Sequence, residues 1–489
     1  MPEESESSPS KEWVLEPETE YRFELDLGTS LAIKLLRGNA EIFGAEMVEG
    51  KAYLFGQECK AAVFTWVGCT IQVTGQPSTE YVSEETPMTA YGNLHIALEQ
   101  MRVRALAKFR GSPEPEARST DAPAEPPRVL VLGPENAGKT TLCKILINYA
   151  VRAGQAWSPL LVNVDPGEAT SAAPGALSAT SVYSPLPTCS PSFPLGSAAT
   201  SAPTSLGSNA LLPVLYWYGH SSTTRNSLLM DRLIRNLGFN IDNKSSNDPK
   251  GQLAGIIVDT PSSFASGTAA TNEQRQRLIK ACIDAFKINI ILVVGHEKLN
   301  VEMQRAYSSK LKVVKVPKSG GVVELDHGYR ERIINYQFHG YMYGEVIRPP
   351  PGITSGTQGG EALTDLTLSP SSTVVNFSDL KIYRIGAATM APSSALPIGA
   401  TRSVSEMQPV LVEPSLPGSG LLNAILAVLS PFNPDENERY DEEILDLSVI
   451  GFIAVTHIDI PHQKLTVLSP AQGSLVGKTA IIGSYEWQE

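Results

Sequence analysis

The stretch Val129-Leu130-Val131-Leu132-Gly133-Pro134-Glu135-Asn136-Ala137-Gly138-Lys139-Thr140-Thr141-Leu142 constrains this chain more than any other. An apolar run leads into a glycine-bounded turn, and Leu142, Ile145, Leu146 and Tyr149 then recur at helical spacing, so the segment reads as buried strand, loop and helix. The pattern G-x-x-x-x-G-K-T is that of a P-loop. Its glycines let successive backbone N–H groups curl around phosphate oxygens, and the positive end of the following helix adds to that field. Lys139 is placed to reach the β- and γ-phosphates and the Thr140 hydroxyl to hold Mg²⁺. Gly133, Asn136, Ala137, Gly138 and Thr141 complete the candidate cradle.

From residue 128 to about 345, strands alternate with helical stretches, which predicts a parallel sheet covered on both faces. The strand through Leu160 to Val164 runs into Asp165-Pro166-Gly167, at the carboxyl end where α/β proteins place ligands. Asp165 there either binds Mg²⁺ or takes a proton from an incoming hydroxyl, or simply forms the turn before Pro-Gly. Asp259, at the end of Ile256-Ile257-Val258, reads equally as a water-mediated Mg²⁺ support or a structural cap. Asp259-Thr260-Pro261 after a P-loop raises a GTPase reading. Ser262 then stands where a glycine is needed, and Asn243-Lys244 lacks the guanine-reading Asp that should follow it. Residues 317–344 supply a Gly-Gly turn and a polar helical segment with Arg330 and Arg332, either lid arginines that close over a phosphate or a solvated helix face.

The flanks differ in pattern. Residues 1–12 read as a disordered polar tail, and 13–110 as short strands bounded by Gly, Asn or Asp, an all-β domain with a short helix around Ala90 to Phe109. Residues 111–127 read as a Pro-rich linker, about 183–211 as a Ser/Pro-rich insertion, and 346–489 as a mainly β domain with loose insertions. A chain of 489 residues is too long for one core, which agrees with such a division. A net charge of −12 excludes a broad electrostatic footprint for nucleic acid, so RNA contact is expected to be local or delegated to a partner. Five scattered cysteines without a C-x-x-C pair fit a reducing compartment, and no run of about 18 apolar residues offers a membrane span. No basic-then-apolar signal segment opens the chain, so an intracellular protein without a membrane partner is expected.

Six blocks then carry a resemblance: TEYRFELDLGTSLAIKLLRGNAEIFGAEM, KAAVFTWVGC, GPENAGKTT, PKSGGVVE, FSDLKIYRIGA and GFIAVTHIDIPHQKLTVLSPA. In that order and spacing they resemble the polyribonucleotide 5′-hydroxyl-kinase family, in particular its branch serving as a subunit of the pre-mRNA cleavage and polyadenylation factor. VNVDPGEA resembles the fungal form of the second motif. The resemblance implies a central RecA-like P-loop domain binding ATP and Mg²⁺, flanked by an amino-terminal all-β domain and a small, mainly β carboxyl-terminal domain. It further implies ATP contacts from Glu20 and Lys60, residence in the nucleus, and docking onto other cleavage-factor subunits. One of those would bind the RNA polymerase tail and sit mainly on the central domain.

The chain also departs from that family. Ser263, with Phe264 beside it, stands where active members resemble one another in carrying a tryptophan that clamps an RNA base. Arg330 fits the lid pattern, while Ile334 and Gln337 occupy the later arginine positions and Glu168 replaces a glutamine. Loss of one such arginine can cost roughly 10³ to 10⁵ in rate. The sequence therefore leads to an ATP-binding scaffold of the 3′-end cleavage machinery, with an active RNA 5′-hydroxyl kinase as the alternative. In that alternative Asp165 is the base and Mg²⁺ partner, and Arg330 closes the lid.

Overall fold

A computed structural model describes residues 10–489 apart from 57, 113–123, 156, 169–172, 187–212, 269–270, 352, 354–364, 387–406, 417, 433–440 and 471–472. The expected tail up to residue 9, most of the linker and most of the Ser/Pro insertion lie outside the described residues. The first domain comprises β1 (Ser10–Leu15), β2 (Thr19–Glu24), β3 (Ser30–Gly38), β4 (Glu41–Ile42), β5 (Ala45–Glu46), β6 (Ala52–Gly56), β7 (Lys60–Thr65), β8 (Cys69–Gly75) and β9 (Thr79–Ser83). Two antiparallel sheets, β1-β8-β3-β6 and β5-β4-β7-β2-β9, bury Tyr21, Phe23, Ile33, Phe55 and Ile71 between them. β1 begins inside the stretch read as a tail, since Lys11 pairs with Glu80 at 2.9 Å and Trp13 packs on the sandwich core. The helix that follows, α1 (Met88–Phe109), spans 22 residues, begins two residues before the expected start and ends where expected. Its buried Arg102 donates to the Ala254 carbonyl at 2.8 Å and so ties the helix to the next domain.

That domain contains β10 (Arg128–Leu132), α2 (Lys139–Arg152), β11 (Leu160–Asn163), β12 (Ala176–Ser181), β13 (Val214–Trp217), α3 (Ser227–Asn247) and α4 (Pro249–Ala254). It continues with β14 (Ile256–Asp259), α5 (Asn272–Ala285), β15 (Ile290–Val294), α6 (Glu297–Tyr307), β16 (Lys312–Val316) and α7 (His327–Tyr343). The sheet order is β13-β12-β11-β14-β10-β15-β16. β11, β14, β10, β15 and β16 pair in parallel, as expected, whereas β12 and β13 add antiparallel pairings at one edge and make the sheet mixed. β12 returns beside β11 in antiparallel register, with Leu160 opposite Ser181 and Asn163 opposite Ser178. Along β10, Leu130 and Leu132 enter one core layer and Val129 and Val131 the other, which is why the strand reads as an unbroken apolar run.

The third domain follows a small ribbon of β17 (Gly344–Val346) and β18 (Asp365–Thr367). It holds β19 (Ser371–Asn376), β20 (Leu380–Ile385), β21 (Pro409–Leu411), β22 (Ala424–Leu429), β23 (Val449–Asp459), β24 (Lys464–Ser469) and β25 (Lys478–Glu486) in the order β19-β24-β23-β22-β25-β20-β21. One face of this sheet, with Phe452, Ile481 and Tyr485, packs on Phe338 and Met342 of α7 and on Trp217 of β13. The carboxyl-terminal domain therefore leans directly on the central one. No helix among the described residues is long and apolar enough to cross a membrane.

Candidate nucleotide-binding site

Adjacent strands deliver the site. Because β11, β14 and β10 lie side by side and parallel, the Asp165 turn, Asp259 and the P-loop emerge together at their carboxyl ends. Gly138 caps α2 at φ +81° and Asn136 also takes a left-handed conformation at +51°, the backbone form that turns amide groups inward. A Cβ on Gly133 would lie 3.2 Å from the Val294 carbonyl, so this glycine allows the loop to sit against β15. Lys139 is buried and donates to the Pro134 carbonyl at 3.1 Å, which holds its ammonium within the loop. The Thr140 hydroxyl donates to Asp259 Oδ2 at 2.5 Å, and the Thr260 amide donates to Asp259 Oδ1 at 3.0 Å.

Asp165 is oriented by local bonds. Its Oδ1 accepts from the Gly167 amide at 2.9 Å, while its own amide donates to Asn163 Oδ1 at 2.9 Å. Burial pushes its carboxyl up to about 6; Lys139 and the Gly167 amide pull the other way, and Asp259 adds to the rise. Asp259 is raised for the same reason, with Lys139 and Thr140 opposing. Two carboxylates under one lysine favour a further cation. A hydroxyl and carboxylates beside phosphate oxygens form the hard, all-oxygen donor set that Mg²⁺ takes, so Thr140 and Asp165, with Asp259 behind them, fit that ion. Among the described residues no group of three His, Cys, Asp or Glu side chains forms a separate metal cluster.

A cavity of about 350 Å³ opens over the P-loop, and the first domain forms its other wall. Glu20, Lys60, Asn136, Ala137, Gly138, Lys139, Thr140 and Thr141 all line it. Gly133 and Asp165 are outside the lining; Gly133 supports the loop from behind, and Gly167 and Glu168 represent the Asp165 turn. Glu20 is buried and accepts from Arg22 Nε at 2.8 Å and from Thr86 Oγ1. Lys60 pairs with Glu24 at 2.5 Å. Phe43, Met88, Tyr91 and Lys144 line the same space, and the sequence carried no signal for them because each reads as an ordinary sandwich or helix residue.

Two segments cover the cavity. In the Gly320-Gly321 turn, a Cβ on Gly321 would fall 2.7 Å from Arg22 Nε, so the glycine permits the strap to lie on the first domain. Helix α7 turns three faces to three neighbours. Arg330, Ile333, Ile334 and Gln337 line the cavity; Arg332 pairs with Glu58 at 2.7 Å; Phe338 and Met342 enter the carboxyl-terminal core. Arg330 is itself engaged, by Glu135 at 2.8 Å, by Glu168, and by Asn136 Oδ1 at 2.7 Å. Ser263 Oγ is bonded to Thr223 Oγ1 at 2.9 Å, and Phe264 is 1% exposed in the core. Neither offers an aromatic face to a ligand.

Three family descriptions match the chain. "N-terminal beta-sandwich domain of polyadenylation factor" covers residues 14–105, "mRNA cleavage and polyadenylation factor CLP1 P-loop" 133–344, and "Pre-mRNA cleavage complex II protein Clp1" 368–489. Over 486 residues the chain is 72% identical to "mRNA cleavage and polyadenylation factor CLP1" of Laccaria bicolor, with 99% of each chain covered. It is 32% identical over 466 residues to "Polyribonucleotide 5'-hydroxyl-kinase Clp1" of Homo sapiens, covering 95% of this chain and 94% of that one. A solved Clp1p–Pcf11p complex matches with a TM-score of 0.75 at 24% identity, over 99% of this chain and 100% of that chain, a likeness of fold.

Proposed function

The chain belongs to the Clp1 family of mRNA cleavage and polyadenylation factors, and from that premise we propose that it is a nuclear, ATP-binding scaffold subunit of the pre-mRNA 3′-end cleavage machinery. ATP with Mg²⁺ occupies the cavity between the first two domains and acts as a structural ligand, with Lys139 on the phosphates, Thr140 and Asp165 toward the ion, and Glu20 and Lys60 on the opposite wall. The apolar patch of Phe43, Ala62 and Met88 suits a purine ring. The central domain docks a partner subunit that also binds the RNA polymerase tail. The Clp1p–Pcf11p complex supports docking onto another cleavage-factor subunit. RNA contact is local or delegated, in keeping with the acidic chain.

The observation that carries the non-catalytic reading is the cavity face of α7. Of Arg330, Ile333, Ile334 and Gln337 it offers one cation, and that cation is already paired with Glu135 and Glu168. Phosphoryl transfer depends on charge stabilisation and substrate placement, and here the lid is short of cations while Ser263 and buried Phe264 leave no clamp. Two observations favour an active kinase: Lys139, Thr140 and Asp165 all stand at one end of the sheet, and the human relative is named a polyribonucleotide 5′-hydroxyl-kinase. Incubation of purified protein with γ-labelled ATP and a 5′-hydroxyl RNA separates the two. Retained, unhydrolysed ATP and unlabelled RNA are expected; label on RNA that disappears in Lys139→Ala and Asp165→Ala would establish the kinase instead.

A further inference from the structure

The Asp165 turn is held from a third direction. Asn163 fixes it from its own strand, through the Asp165 amide at 2.9 Å and the Glu168 carbonyl at 3.0 Å. On the far side, the Pro166 carbonyl accepts from the Gly175 amide at 2.9 Å and also from the Tyr485 hydroxyl at 3.0 Å. Tyr485 belongs to β25 of the carboxyl-terminal domain, more than three hundred residues away in sequence. Its ring is buried, packed on Trp217 at 6.1 Å and on Phe338 at 5.5 Å between centroids. A Cβ on Gly175 would lie 2.6 Å from the Tyr485 ring, so this glycine is what lets the tyrosine reach the turn. The adjacent Ser484 amide donates to the Gly219 carbonyl at 2.7 Å, fixing the strand that presents it.

One side chain thus touches both halves of the site. Its hydroxyl meets the residue after Asp165, and its ring meets Phe338, next to Gln337 on the cavity face of α7. We propose that Tyr485 is a positioning residue: the carboxyl-terminal domain sets the height of Asp165 over the P-loop through the Tyr485–Pro166 bond and so tunes how firmly the site holds Mg²⁺ with the nucleotide. Burial near Asp165 keeps the phenol neutral and hydrogen-bonding, since the hydroxyl is raised far above its ordinary range. This inference rests on the reading of Asp165 as a Mg²⁺ partner.

The test uses the full-length protein, stripped of nucleotide, with ATP affinity measured by calorimetry in Mg²⁺ and in EDTA. Four proteins are compared: the natural chain, Asp165→Asn, Tyr485→Phe and Tyr341→Phe. Tyr341 is a control, half-buried on α7 with its hydroxyl accepting from the Phe452 amide at 3.1 Å, away from the turn. Asp165→Asn is expected to flatten the gain from Mg²⁺. Tyr485→Phe keeps the ring and is expected to cut that gain by about fivefold, the scale of one hydrogen bond, while affinity in EDTA stays unchanged. Amide exchange at residues 164–168 of the ligand-free protein should quicken in Tyr485→Phe alone of the two tyrosine variants. A natural gain and natural protection in Tyr485→Phe would overturn the inference and leave the Asp165 reading standing. Equal losses in both tyrosine variants would overturn it as general loosening, and absence of any Mg²⁺ gain in the natural chain would overturn both.

Discussion

Asp165 has the electrostatic environment of a group awaiting a counter-ion. Its carboxyl in the folded, ligand-free protein titrates near 6, whereas in the unfolded chain it does so near the ordinary value of about 4. Between those values the folded form binds the extra proton, so this group's effect on stability worsens as pH rises toward about 6 and is constant above it. Asp165→Asn preserves the acceptor for the Gly167 amide and removes the partly desolvated carboxylate charge. The variant should therefore resist denaturant better than the natural ligand-free protein at pH 7.5, with the gap closing toward pH 4. Chemical denaturation at several pH values measures this, and a gap that widens on acidification would refute it. Thr140 was legible from spacing alone; its bond to Asp259 was not, because only the neighbouring of β10 and β14 brings hydroxyl and carboxylate together.

At the scale of elements, α7 is the part whose sequence says least about its job. Its residues are mixed in polarity all round, since each face meets a different neighbour: cavity, first domain, carboxyl-terminal core. The Asp326 side chain caps it through the Tyr329 amide at 2.7 Å. Glu58 then anchors it, its carboxylate accepting from Arg332 Nε at 3.1 Å and Tyr336 Oη at 3.5 Å. Arg332 is half exposed, so solvent screens the pair and it holds α7 only weakly. Glu58→Gln should hence speed release of bound nucleotide by about two- to fivefold with little change in overall stability. Stopped-flow displacement of a labelled nucleotide reads this directly; an unchanged release rate would mean that α7 does not gate the cavity. The opposing element, α2, is held to the first domain in a comparable way. Glu41 accepts from Arg152 at 2.8 Å and from Tyr149, and Asn148 donates to the Phe43 carbonyl at 2.9 Å.

For the whole molecule, the nucleotide cavity is an interdomain joint: two domains supply its walls and the third braces its turn. A ligand confined to such a joint stabilises the assembled form, and at one hundred times its dissociation constant it adds about 2.7 kcal/mol. ATP with Mg²⁺ should raise the thermal unfolding temperature of the natural protein by several degrees, and Lys139→Ala should lose that rise. If the natural protein melted at the same temperature with and without saturating ATP–Mg²⁺, the structural-ligand reading would fail.

The P-loop, its flanking strand and helix, and the division into β, α/β and β parts were determined by the sequence itself, because glycine torsions and residue periodicity are local. The resemblance also pointed to Glu20 and Lys60, which line the cavity, although nothing in their own neighbourhoods marks them. Tertiary structure alone decided the rest. The antiparallel pairing at the β12–β13 edge is one such feature: β12, Ala-Leu-Ser-Ala-Thr-Ser, carries little apolar signal, and although β13, Val-Leu-Tyr-Trp, reads as a strand, its sequence does not say which neighbour it pairs with. Phe43, Met88 and Tyr91 become cavity lining only when the domains meet, and Tyr485 becomes part of the site only when β25 docks beside β13. Such roles arise from contacts between residues far apart in the chain, and local propensity holds no record of them.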